Sequence, residues 1–131
     1  MAYGWNPVFV NTVLDSIFSA GSWTPPAASY IQLHTDDPGA DGTANVSSYA
    51  TRTPVTWDSA ASGSKSITTA VTITSAWADT SPETITYVSY WDSSSGGTFI
   101  VSDELTAAQT VVTGNPVVLA SLTAPWSPLA A

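Results

Sequence analysis

After the proline pair Pro25-Pro26 no segment repeats its apolar residues at helical spacing, and nothing else in the chain constrains its fold as strongly. The rest of the chain is instead a series of short runs alternating apolar and polar side chains, the two-residue period of a strand buried on one face. Residues 29–35 (SYIQLHT) place Ile31 and Leu33 on one face and Tyr30, Gln32 and His34 on the other. Residues 66–74 (SITTAVTIT) set Ile67, Val71 and Ile73 against Ser66, Thr68, Thr72 and Thr74. Residues 84–91 (TITYVSYW) are nearly all β-branched or aromatic, the strongest strand by propensity. Residues 50–57 read as a short strand that Pro54 confines to an edge or a bulge. The turn DSSSGG leads into residues 98–102 and predicts a hairpin, and residues 109–113 and 117–123 flank a second turn signal at Gly114-Asn115. Strands separated by turns at roughly 8 to 15 residues predict a mainly β chain, a single antiparallel β-sandwich or jelly-roll-like domain.

The first residues obey a different rule. Asn6 is a good N-cap, and Pro7 follows at the first helical position, where its missing N–H costs nothing. Val10, Val13, Leu14, Ile17 and Phe18 then form one apolar stripe at helical spacing. Gly21 stands where a helix-terminating glycine is expected, and the prolines prevent continuation. So short a helix, rich in β-branched residues, is marginal alone and must pack on something. The expected division is an N-terminal helical arm over 1–26, a β-sandwich domain over 27–124, and an extended tail over 125–131.

Composition removes whole classes of function. The chain has 131 residues, 2 basic against 10 acidic, and a net charge of −8. A binder of duplex nucleic acid neutralises phosphates with lysine and arginine, and Arg52 and Lys65 are the whole supply. Anionic membrane surfaces would repel it, and no run approaches the roughly 18 apolar residues that span a bilayer. No basic segment of secretory type opens the sequence, whose first cation is Arg52. Without cysteine there is no disulfide or thiolate metal chemistry. Surface polarity comes from 19 serines and 19 threonines, which hydrate strands without long charged side chains.

Candidate chemistry is thin. His34 is the only histidine, no GxSxG elbow accompanies it, and it reads as an imidazole on the polar face of a strand. The acids fall mostly in turns, where aspartate bonds local amides, so no pair stands out as a glycosidase couple. Asp36, Asp37 and Asp41 crowd one loop, yet their spacing and Pro38 fit no EF-hand, so it reads as a metal-free acidic turn. The expectation is no enzyme, no cofactor and no metal. Six tryptophans (Trp5, Trp23, Trp57, Trp77, Trp91 and Trp126) are many for this length. They suit either burial against neighbouring subunits or, less well, a sugar-stacking row such as Tyr87, Tyr90 and Trp91 on one strand.

Several segments carry a family resemblance: the opening MAYG with its short helix, YIQLHTDDPGADGTAN over 30–45, SYWDSSSGGTFIVSDEL over 89–105, and Gly114-Asn115 before VVLASLTAP. In this order they resemble small virion proteins of long-tailed, mostly actinobacterial phages, of the tail-fibre-like or minor capsid decoration kind. The resemblance implies a virion-surface structural protein, assembled in the host cytoplasm, homo-oligomeric with a trimer favoured. The implied partners are the major capsid protein or other virion proteins, with no nucleic acid and no membrane. Decoration of the capsid is the leading expectation, a tail-fibre or minor-tail part the alternative, and a carbohydrate-binding module a second alternative. Trp5, Val10, Leu14, Phe18, Trp23 and Trp126 are the expected partner contacts, since short terminal segments with large aromatics gain order by docking.

Overall fold

The computed structural model describes residues 4–73 and 82–125. The chain opens with helix α1 (Pro7–Phe18) and continues in strands β1 (Ser29–His34), β2 (Thr53–Val55), β3 (Ser64–Ser66), β4 (Val71–Ile73), β5 (Glu83–Trp91), β6 (Phe99–Val111), β7 (Val117–Leu119) and β8 (Thr123–Pro125). All pairings are antiparallel. One sheet runs β2-β1-β5-β6, and β3 with β8 and β4 with β7 form two ribbons. Ile31, Leu33, Val88, Tyr90 and Val101 of the sheet share one core with Ile67, Val71, Ile73, Val117, Leu119 and Leu122 from the ribbon side. The expected mainly β, two-layered domain with one short helix is what the chain forms.

Pro54 lies in β2, an edge strand, where its missing donor costs no ladder bond. The DSSSGG hairpin joins β5 to β6, with Gly96 and Gly97 at positive φ (60° and 72°). Arg52 clamps this turn: its Nη1 donates to the carbonyls of Ser93 (3.0 Å) and Gly96 (2.6 Å). The same guanidinium stacks 3.6 Å over the Trp91 ring.

Four expectations need correction. Residues 66–74 are not one strand: β3 and β4 are separated by residues 67–70, and Thr74 lies outside the described residues. Their partners β8 and β7 are themselves separated by residues 120–122, so the two ribbons break at the same level. Residues 109–111 are not a separate strand but the end of β6, pairing with Glu83–Ile85. Leu105 to Ala108 bulge opposite the single residue Thr86, and this carries β6 through 13 residues. The Gly114 turn does form, with Asn115 N–H donating to Val112 O at 3.1 Å, but β7 leaves it to pair with β4. The turn therefore connects strands of different layers.

The fourth correction concerns β1, whose polar face is also covered. Gln32 and His34 are buried: Gln32 Nε2 donates to Ala50 O (3.1 Å), and His34 meets Ala44 O of the loop of residues 36–47, which reaches Phe99 through Gly42. A side chain at Gly42 would place its Cβ 2.6 Å from the Phe99 ring, on a backbone at φ +73°. The loop closes on itself: Asp37 Oδ1 accepts from Gly39 N–H, and Asp41 Oδ1 from Thr43 N–H and Oγ1. Glu83 pins its far end by accepting from Ser48 N–H (3.0 Å) and Oγ (2.9 Å).

Candidate docking site

The N-terminal arm is fastened to the open edge of β6. Gly4 O accepts from Ser102 N–H at 2.9 Å, and Asn6 N–H donates to Ile100 O at 2.8 Å. Asn6 then does two jobs with one side chain. Its Oδ1 caps α1 by accepting from Val8 N–H (3.0 Å), while its Nδ2 donates to Phe99 O (2.7 Å). The helix direction is thus set at the sheet edge. At the other end Asp15 O accepts from Ser19 and Gly21 N–H, and Ala20, not Gly21, takes the left-handed conformation (φ 56°). Gly21 serves instead as the close approach, since a Cβ there would lie 3.1 Å from the Asp15 backbone.

An aromatic ladder results from this anchoring. Trp5 stacks on Phe9 (6.1 Å between centroids), and Phe9 meets Trp23 edge-on (5.9 Å). Together with Val13, Pro26, Pro54, Val55, Trp57, Tyr90, Ile100 and Val101 they line an open apolar groove of about 750 Å³. Trp57 tilts against Tyr90 at 5.4 Å and donates its Nε1–H to Ser29 Oγ. Lys65, the one charged residue of the lining, donates to the Asp58 carbonyl. Tyr90 Oη is buried without a hydrogen-bond partner among the described residues, and burial drives its ionisation well above the ordinary phenol range.

The expected contact residues distribute unevenly over this surface. Trp5 and Trp23 are half-buried and line the groove. Val10 is half-buried, while Leu14 and Phe18 are exposed, Phe18 by 81%. Trp126 lies outside the described residues, as does Trp77. No helix residue is fully buried, but Phe9 packs against the core and Val13 of the stripe lines the groove, while Leu14, Ile17 and Phe18 stay exposed. Phe9 and Trp57 join the groove without being among the expected contacts; the four-residue step from Trp5 to Phe9 is the available signal for the first.

The remaining candidates are absorbed by structure. His34 is fully buried; its Nδ1–H donates to Ala44 O (2.7 Å) and its Nε2 accepts from Ser89 Oγ (2.7 Å). Ser89 Oγ in turn accepts from Trp91 Nε1–H at 2.8 Å. This serine–histidine pair is closed to any substrate. Tyr87, Tyr90 and Trp91, the strand offered as a sugar-stacking row, are 3%, 2% and 5% exposed and present no platform. Among the described residues no group of three or more acids and histidines could hold a metal, and no helix is long and apolar enough to cross a membrane.

No curated protein matches the chain. Residues 5–124 match the family described as podophage GP4 fiber I protein gp80, and the chain accordingly belongs to that family of phage fibre proteins, as a structural component of a virion.

Proposed function

We propose that the chain is a fibre or tail-attached part of the virion, held to its neighbours by the N-terminal arm and the aromatic groove. The observation that carries this reading is the family match over residues 5–124, whose description names a fibre. It moves the weight from capsid decoration, the leading expectation from sequence, to the tail-fibre alternative. The same description names a podophage and lends nothing to a long-tailed phage or an actinobacterial host. The role is mechanical and non-enzymatic; the internal engagement of both His34 ring nitrogens supports this. The partners are other virion proteins and further copies of this chain, a trimer being the favoured assembly.

Quantitative mass spectrometry of purified particles, with gold-labelled antibody in electron microscopy, tests the placement. A fibre part is expected at low stoichiometry relative to the shell protein, with label at the tail. Label spread over the head in proportion to the shell protein would restore decoration, for which an acidic, charge-poor body with an apolar arm is equally suited.

A further inference from the structure

The chain leaves its last described strand beside the aromatic groove. β8 pairs antiparallel with β3, Ala124 standing opposite Lys65 and Pro125 opposite Ser64. On its other side β3 is held by residues 56–58: Asp58 N–H donates to Ser66 O, Thr68 N–H donates to Thr56 O, and Trp57 bridges to Ile67. Thr56, Trp57 and Lys65 all line the groove. β8 is therefore two strand spacings, roughly 10 Å, from the backbone of Trp57. Residues 126–131 (WSPLAA) follow Pro125 in the sequence. At up to about 3.5 Å per residue they reach roughly 20 Å, twice that distance.

We propose that residues 126–131 occupy the groove of their own chain, with Trp126 and Pro128 laid against Trp5, Trp23 and Trp57, and that a virion neighbour docks by displacing them. The inference deepens the reading of the groove as an attachment surface and rests on that reading for what replaces the tail. Beyond reach, three observations favour this occupant. First, the segment carries no charge, and the one charged residue of the lining, Lys65, is already engaged with the Asp58 carbonyl. Filling an apolar groove with such a segment leaves no ion unpaired on either side. Second, Pro125 and Pro128 stand three residues apart, the spacing of extended proline-containing segments that dock in aromatic-lined grooves. The groove meets that description with three tryptophans, all half-buried. Third, the segment is tethered at the groove's rim by the β3–β8 pairing, so it acts at millimolar effective concentration, ahead of any dilute competitor.

The test compares the full chain in solution with a variant stopped after Pro125, which keeps every residue of β8. In nuclear magnetic resonance spectra the indole N–H signals of Trp5, Trp23 and Trp57 should shift on truncation. That of Trp91, bonded inside the body to Ser89 Oγ, should not. The apolar dye anilinonaphthalenesulfonate should bind the shortened chain at least about tenfold more tightly, because no tethered competitor remains. Trp126→Ala in the full chain should reproduce both changes in part, and this variant covers the case in which truncation unfolds the protein. As the chain has no cysteine, a spin label on Ala131→Cys can be placed alone, and it should broaden the same three indole signals. Mixing spin-labelled chain with isotope-labelled wild type should give no broadening; broadening there would put a neighbour's tail in the groove. That result, indole signals indifferent to truncation, or equal dye affinity would each overturn the proposal. Particle labelling is read separately: failure here leaves the fibre placement standing, and label spread over the head would sink that placement while leaving the tail in its groove.

Discussion

In its neutral form His34 is compatible with only one tautomer in its surroundings. A carbonyl faces Nδ1 and must receive a hydrogen, so Nε2 is left as the acceptor for Ser89 Oγ. Burial pushes the imidazole below its ordinary 6.5; the bond to Ala44 opposes this, and the charge of Arg52 adds to the lowering. A histidine with a depressed folded value binds its proton more readily when unfolded, so its stabilising share is complete above about pH 6.5 and lost as pH falls. The urea midpoint should therefore drop on acidification below about 6.5, and His34→Gln should flatten that slope. Asp103 acts with the opposite sign at lower pH, since burial raises its carboxyl above the usual carboxylate value. Tyr90 poses the complementary case of a buried hydroxyl with no partner among the described residues. Tyr90→Phe deletes an unsatisfied group and should raise stability by about 1 kcal/mol; a lower midpoint would show that the hydroxyl is satisfied in solution.

Among the elements, the loop over β1 depends on close contact at one glycine. Gly42→Ala combines a positive φ with a clash against Phe99 and should cost about 2–3 kcal/mol. Gly96→Ala, with a positive φ and open space, should cost about 1 kcal/mol. Paired urea melts separate the two contributions. Strands β1 and β5 were legible in the sequence because their residue types alternate or favour β structure locally. The length of β6 was not, because residues 104–110 cross a bulge and lose the alternation that marks a strand. The partner of β7 was equally hidden: a Gly-Asn turn is encoded by neighbours, but the layer a strand joins is decided by residues far away. The same division holds at the docking site. The N-cap, the proline start and the stripe on α1 could be read directly. That Leu14, Ile17 and Phe18 of the stripe face outward could not, because it depends on Asn6 bonding Phe99 and Ile100, 93 residues away in the first case.

For the whole molecule, the sparse charge has two consequences. Copies carrying −8 repel one another, so any self-association should strengthen as salt screens that repulsion. Sedimentation at low and high ionic strength checks this, and weakening with salt would mean that ion pairs hold the assembly. The second consequence concerns digestion. Trypsin has only two bonds to attack, after Arg52 and after Lys65, and both cations are engaged with backbone carbonyls of the folded body. The bonds lead into β2 and lie within β3, so cleavage requires local opening of a sheet edge or a ribbon. Particles washed in trypsin should keep this protein whole, and once unfolded it should yield just the fragments 1–52, 53–65 and 66–131.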